Sequence, residues 1–332
     1  MKILIDMSNS PHVLFFYPII KRLEKKGHNV KIIARKHAQT LGLLDLFKLK
    51  YIVIGKHAGK NIFSKLFNAV GRVLAIAKYI RQENPDICLS HQSPYIIYAG
   101  FLKNKKSVYI FDNEYAKLQN NLTFPLANKV IYPEAMGLDK KNKKFVRYPG
   151  IKEAVYLADF KSNLKGIEKI KKIKGKKILI RTEISNAVYH IGDPLFKLVT
   201  TLAFKGYKII LSPRTEEQKE QYKKIKNVIV LEKPVHAPSL MKYVDLVMSA
   251  GGTMNREAAV LEVPVISLYS GELLEVDKWL IKKGLMVYNT NPSIELIEQV
   301  IKKKNKKKEI NLKKLGKNAI DKIVREVEIL EK

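Results

Sequence analysis

A single cysteine, Cys88, stands among the 332 residues, inside the apolar run Ile87-Cys88-Leu89. A disulfide within the chain is therefore excluded, the thiol reads as buried, and a reducing compartment is expected. No apolar run approaches the ~20 residues that a membrane-spanning helix requires. The amino end, Met1-Lys-Ile-Leu-Ile-Asp6, sets an acid inside what would be a signal's apolar stretch, so it reads as a first strand. The expected location is the cytoplasm, with a peripheral position at the inner face of the membrane as an option. Acidic residues are few, 31 against 62 lysines and arginines, for a net charge of +31. Arginine is scarce within that total. Arginine is the usual bidentate reader of guanine and phosphate, so a lysine-rich surface fits diffuse attraction to anions rather than sequence readout of nucleic acid.

What is present is a regular alternation. Short β-branched runs recur at Ile3-Leu-Ile5, Val30 to Ala34, Tyr51 to Ile54, Ile87 to Leu89, Val108 to Phe111 and Val130 to Tyr132. They resume at Ile178 to Ile180, Ile209 to Leu211, Val228 to Leu231, Leu246 to Met248, Val265 to Leu268 and Leu285 to Tyr288. Stretches of helical periodicity separate most of them. Such runs predict parallel sheets with right-handed crossovers. The fold class expected is α/β: two Rossmann-like, doubly wound domains facing a cleft. Gly27 and Gly206 mark two helix ends, where glycine accepts the left-handed turn. The expected division is an N-terminal domain over residues 1–150, a linker over 151–175, a C-terminal domain over 176–310 and a closing helix over 311–332. The boundary signal is Tyr148-Pro149-Gly150, and a basic block, Lys302 to Lys308, precedes the closing helix.

Ligands of open parallel sheets bind beyond the carboxyl ends of the strands, so the loops that follow strands carry the functional reading. After the first strand, Asp6-Met-Ser-Asn-Ser-Pro-His12 leads into a helix, and His12 can serve as a base or a hydrogen-bond donor. Ser90-His-Gln-Ser-Pro94 follows the fourth strand, and Asp112-Asn-Glu114 the fifth, where the two carboxylates are candidates for a base or a sugar clamp. In the second half, Arg181 follows one strand and can pair with phosphate. Ser212-Pro-Arg214 follows the next, and His236 precedes Ser239, which reads as a helix cap. The most informative loop is Ser249-Ala-Gly-Gly-Thr253, between an apolar run and a helix that carries Asn255 and Glu257. Gly251 and Gly252 let a phosphate approach the backbone, the helix start favours negative charge, and Glu257 can accept from two ribose hydroxyls. Asp277 is a further candidate for sugar hydroxyls. Neither the dinucleotide fingerprint nor the P-loop pattern is present. No Asp-x-Asp pair or His/Cys cluster demands a metal, and no cofactor is expected.

The segment Ser249 to Glu257, with Val263-Pro-Val-Ile266, resembles the nucleotide-sugar motif of the two-domain GT-B superfamily. The pattern is similar to lipid-linked N-acetylglucosaminyltransferases and to non-hydrolysing UDP-N-acetylglucosamine 2-epimerases. With Asp6 to Val13, the whole chain looks like an uncharacterised archaeal and bacterial family of that superfamily. The resemblance implies that Gly251, Gly252 and Thr253 hold a diphosphate and Glu257 a ribose. It matches His12 to a transferase histidine and Glu114 to an epimerase catalytic glutamate. Ser93 falls where the epimerases carry an aspartate, and Ile180 near where a histidine is expected, which counts against epimerase chemistry.

The leading expectation is a metal-independent glycosyltransferase. His12, Asp112 and Glu114 are its catalytic candidates, and Arg181, Ser249, Gly251, Gly252, Thr253, Asn255, Glu257 and Asp277 hold a nucleotide sugar, a UDP-sugar first. An anionic membrane or lipid-linked acceptor fits the basic surface. A 2-epimerase-like isomerase is the second reading. A non-enzymatic nucleic-acid-binding protein is the last, since no nucleic-acid-binding signature is present.

Overall fold

In the computed structural model the described residues are 1–56, 62–183, 194–233, 235–303 and 309–331. Most of the basic block, residues 304–308, lies outside them. The chain divides into two compact units, one of Met1–Ala158 with Lys314–Lys332 and one of Asp159–Lys313.

The first unit runs β1 (Lys2–Met7), α1 (Ser10–Lys25), β2 (Asn29–Lys36), α2 (Thr40–Leu46), β3 (Ile52–Lys56), α3 (Ile62–Glu83), β4 (Ile87–His91), α4 (Tyr95–Leu102), β5 (Lys106–Ile110), α5 (Lys117–Thr123), β6 (Lys129–Pro133), β7 (Phe145–Tyr148) and α6 (Lys152–Leu157). Its sheet has the order β3-β2-β1-β4-β5-β6-β7. Every pairing is parallel, for instance Ile3 opposite Val30 on one side and Ile87 on the other. Both faces of such a sheet must be covered, which is why β1 and β4 are buried along nearly their whole length. The order reverses between β1 and β4, so the loops after these two strands open at a topological switch point.

The second unit runs α7 (Glu168–Lys172), β8 (Lys177–Arg181), α8 (Pro194–Phe204), β9 (Lys208–Ser212), α9 (Glu216–Lys223), β10 (Val228–Val230), α10 (Ala237–Met241), β11 (Leu246–Ser249), α11 (Gly252–Val260), β12 (Val265–Ser267), α12 (Glu275–Lys282), β13 (Val287–Tyr288) and α13 (Ile294–Lys302). Its sheet order is β10-β9-β8-β11-β12-β13, again all parallel, with the switch between β8 and β11. The two Rossmann-like units confirm the α/β expectation. The strand β7 is an addition to it: Phe145-Val-Arg-Tyr148 is short and runs straight into Pro149-Gly150.

The last helix, α14 (Leu312–Glu328), lies mostly within the first unit. Its residues Ala319, Ile320, Ile323, Val324 and Val327 join the core that α1 builds with β1 and β2. Gly27 and Gly206 end α1 and α8 at φ 84° and 90°. The amide of the next residue reaches back five positions in each case, His28 to the Leu23 carbonyl and Tyr207 to the Leu202 carbonyl. This is the bond pattern that left-handed glycines close at helix ends. Cys88 is buried, and burial pushes its thiol up to about 12, which makes it unreactive.

Candidate functional site

Each unit gathers polar residues at its switch point. In the first, Asp6 near the end of β1 is fully buried and accepts two hydrogen bonds from Arg72 of α3, Nη2 to Oδ1 at 2.6 Å and Nη1 to Oδ2 at 3.0 Å. Ser93 Oγ, at 2.8 Å, and Ser8 Oγ, at 3.1 Å, donate to the same Oδ2. Burying a carboxylate is tolerated only with such full compensation. Arg72 also stacks over the Tyr95 ring at 4.7 Å.

His12 sits in the first turn of α1, where Asn9 caps the helix. The Ser8 backbone N–H donates to His12 Nδ1 at 3.2 Å. A neutral imidazole that accepts at Nδ1 carries its proton on Nε2. This arrangement presents an N–H at His12 Nε2. His91, the last residue of β4, lies edge to face with His12, centroids 5.4 Å apart. Its Nε2 is 3.4 Å from Asp112 Oδ1 but lacks the alignment of a hydrogen bond. Asp112 Oδ2 is 2.5 Å from Lys152 Nζ, at the start of α6. Gln92 adopts a left-handed φ of 48°, and its side chain accepts the Asp112 amide. A non-glycine residue holds that conformation only where its surroundings over-determine it, and here it turns the chain between His91 and Ser93. Glu114 is partly buried on the same loop as Asp112.

Burial lowers both imidazoles, His12 to about 4 and His91 to about 3, with the Asp6 and Asp112 charges respectively opposing the shift. In the unfolded chain both titrate near pH 6.5. The stabilisation is complete above that pH and is lost as pH falls toward the folded values, because the unfolded chain then binds more protons. For His12 the full effect is on the order of 3 kcal/mol at about 1.4 kcal/mol per pKa unit. Urea unfolding at about pH 7.5 and about pH 4.5 checks this: wild type loses several kcal/mol, and His91→Leu loses less. Equal slopes for the two proteins would show that His91 is not held neutral.

In the second unit, Arg181 ends β8 and donates from Nη1 to Ser212 Oγ, at the end of β9, at 2.5 Å. Its charge is disfavoured by burial and then by Arg214. Arg214 is exposed, and its Nη2 stands 3.4 Å from where a Cβ on Gly251 would lie. The Arg214 guanidinium thus stands beside the turn that opens α11, and the Ala250 amide donates to the Arg181 carbonyl. Gly252 and Thr253 occupy the first helical turn, whose amides have no acceptor within the helix. The Gly251 amide is not among the free donors, because Ser249 Oγ accepts it at 2.9 Å.

The remaining candidates are set inside the fold. Asn255 donates to the Ser249 carbonyl at 3.0 Å and to Ser267 Oγ at 2.9 Å, tying the ends of β11 and β12 together. Asp277 on α12 accepts from Arg256 at 2.8 and 3.2 Å, a buried pair. The same Arg256 would lie 2.7 Å from a Cβ on Gly252, so this ion pair favours the bare position. Glu257 is buried in α11. Ser239 lies within α10 rather than capping it. The cap is His236, whose Nδ1 is 2.9 Å from Ser239 Oγ. Ile180 is a core residue of β8, and Ser93 serves Asp6.

Sequence reasoning did not single out Arg72, Lys152 or Arg256. Arg72 had a readable signal: it continues the buried stripe of Ile76 and Ile80 at four-residue spacing. A charge in an apolar stripe needs a partner.

Residues 1–328 match the family described as protein of unknown function, DUF354. The chain belongs to this family. An uncharacterized protein of Methanocaldococcus jannaschii is 33% identical over 311 residues, 89% of each chain. Among solved structures, the UDP-GlcNAc 2-epimerase of Methanocaldococcus jannaschii is similar at a TM-score of 0.77 and 17% identity, over 99% of this chain and 100% of the other. The Neisseria meningitidis UDP-GlcNAc 2-epimerase bound to UDP-GlcNAc gives 0.73 and 18%, over 98% and 99%. Acinetobacter baumannii MurG gives 0.62 and 15%, over 99% of each chain. At these identities the likeness establishes the fold, a pair of Rossmann-like units of GT-B type.

Proposed function

We propose that this member of the DUF354 family is an enzyme that takes a nucleoside-diphosphate sugar, a UDP-sugar first, and transfers the sugar to an acceptor hydroxyl. The observation that carries the reading is the Arg214 guanidinium beside the glycine turn of α11, with Arg181 near enough for the Arg214 charge to disfavour its own. A diphosphate relieves that repulsion and accepts from the first-turn amides of Gly252 and Thr253. Glu257 would accept from the ribose. The similar epimerase solved with UDP-GlcNAc supports the ligand class through the shared fold.

In transfer, the bond between the sugar's anomeric carbon and the diphosphate oxygen breaks, and the acceptor oxygen forms the new one. The guanidinium groups stabilise the charge gathering on the departing diphosphate. The acceptor's proton passes to a general base as its oxygen bonds to carbon. Transfer is preferred to epimerisation because, where the resemblance sets an epimerase aspartate and histidine, this chain has Ser93, which donates to Asp6, and Ile180, a core residue.

Calorimetry with UDP and UDP-GlcNAc tests the site. Arg214→Ala and Glu257→Ala are each expected to weaken UDP by roughly 10- to 100-fold, the worth of a hydrogen bond to a charged group. Absence of UDP binding, or unchanged affinity in both variants, would sink the assignment. Incubation with UDP-GlcNAc alone in heavy water separates the reactions. A second UDP-sugar carrying deuterium at C2 would replace transfer by epimerisation.

A further inference from the structure

The two faces of the first unit's sheet are covered differently. Helices α1 and α14 bury their apolar residues in the core. By the right-handed crossover rule, α3, α4 and α5 cover the opposite face. These three helices expose large apolar side chains. On α3, Phe67, Val70 and Leu74 form one stripe at helical spacing, and Phe67 is 82% exposed. On α5, Leu118 and Leu122 stand one turn apart, with Leu118 77% exposed. At the end of α4, Leu102 is exposed as well. The elements are neighbours: α3 packs along α4, and Tyr98 Oη of α4 is 3.2 Å from Thr123 Oγ1 of α5.

Burial does not explain the stripe, because α3 already turns Ile76, Ala77 and Ile80 inward. Its outer face would normally be polar. The charges in this layer are mostly positive. Lys78 continues the α3 side, Lys103 follows α4 and Lys117 opens α5, all exposed. The three helices carry one acid between them, Glu83 at the end of α3, 3.6 Å from Lys2.

We infer that the α3–α4–α5 face is a docking surface for an anionic lipid bilayer, with Phe67, Leu118 and their neighbours entering the headgroup region and the lysines meeting lipid phosphates. Apolar residues interleaved with lysine are the chemistry of interfacial helices. Charge decides between the two occupants that fit an apolar face. A second copy would bring one lysine rim against another on a chain of net charge +31, whereas anionic lipid neutralises both. No helix of the described residues is long and apolar enough to cross a membrane, so the contact proposed is with the surface.

Flotation of the full chain with vesicles tests this, using phosphatidylglycerol mixed with phosphatidylcholine against phosphatidylcholine alone. Binding is expected to the anionic vesicles only and to weaken with salt. The double variant Phe67→Glu with Leu118→Glu is expected to lose roughly ten-fold or more in partitioning. Its melting temperature and UDP affinity should stay as in wild type, since both side chains are exposed. Unchanged flotation of the variant, or equal binding to neutral vesicles, overturns the inference. So does a concentration-dependent dimer, seen by sedimentation equilibrium, that the double variant dissolves, because the face is then an interface between copies. The inference stands apart from the nucleotide-sugar reading: lost UDP binding with intact flotation refutes only the latter.

Discussion

Arg72→Met is expected to cost about 3–5 kcal/mol of unfolding free energy, the range for removing one partner of a buried ion pair. Asp6 is fully buried and Arg72 nearly so. Ser8 and Ser93 remain as donors in the variant, but two hydroxyls do not replace a bidentate guanidinium. The loss should therefore exceed that of Ser93→Ala, which removes one neutral donor and is expected near 1–2 kcal/mol. The pair Asp6→Asn with Arg72→Met should recover part of the loss, because the uncompensated charge has gone. Urea unfolding of wild type, Asp6→Asn, Arg72→Met and the pair closes the cycle. A loss below about 1 kcal/mol for Arg72→Met would show that the pair is solvated, and would leave Asp6 free to act on a ligand.

That ion pair also shows where the sequence was informative and where it was not. The strands were legible because β-branched runs between helical stretches have one stable arrangement, a parallel sheet covered on both faces. β7 escaped because Phe145-Val-Arg-Tyr148 is an edge strand next to Pro149-Gly150, where turn chemistry masks a short run. The loops after β1 and β11 were legible from the strand-end rule. The roles of individual side chains within them were less so. Asp277 was readable as a carboxylate near the loop, but a sequence does not state that Arg256 already holds it. Gly252 was readable as a place for phosphate. Its contact with Arg256 depends on a rotamer and cannot be counted from spacing. The closing helix announced itself by an apolar stripe, yet a stripe says that a helix is buried and not which unit buries it. The exposed apolar residues of α3 show the same limit from the other side, since helical periodicity does not distinguish an inner stripe from an outer one on a helix that has both.

Gly316→Ala is expected to destabilise the protein by about 3 kcal/mol or more, although the same change in an isolated helix is stabilising. Gly316 lies in the first turns of α14, and a Cβ there would overlap the Ala154 carbonyl oxygen and stand 2.5 Å from its carbon. Both are backbone atoms of α6, so no side chain can swing aside. Either α14 lifts from the first unit or α6 shifts, and the core residues Ala319, Ile323 and Val327 follow α14. Leu315 fixes the same turn from another direction: it would be 3.2 Å from a Cβ on Gly150, whose φ of 77° already favours glycine. Two glycines at one crossing let α14 approach the segment that leads into α6. The control is Gly71→Ala in α3, where a Cβ would meet nothing within 4 Å and the helix gains about 1 kcal/mol. Opposite signs for the two substitutions in thermal or urea unfolding are the expected result. A stabilised Gly316→Ala would mean that α14 does not pack against α6 as closely as the Gly316–Ala154 contact requires.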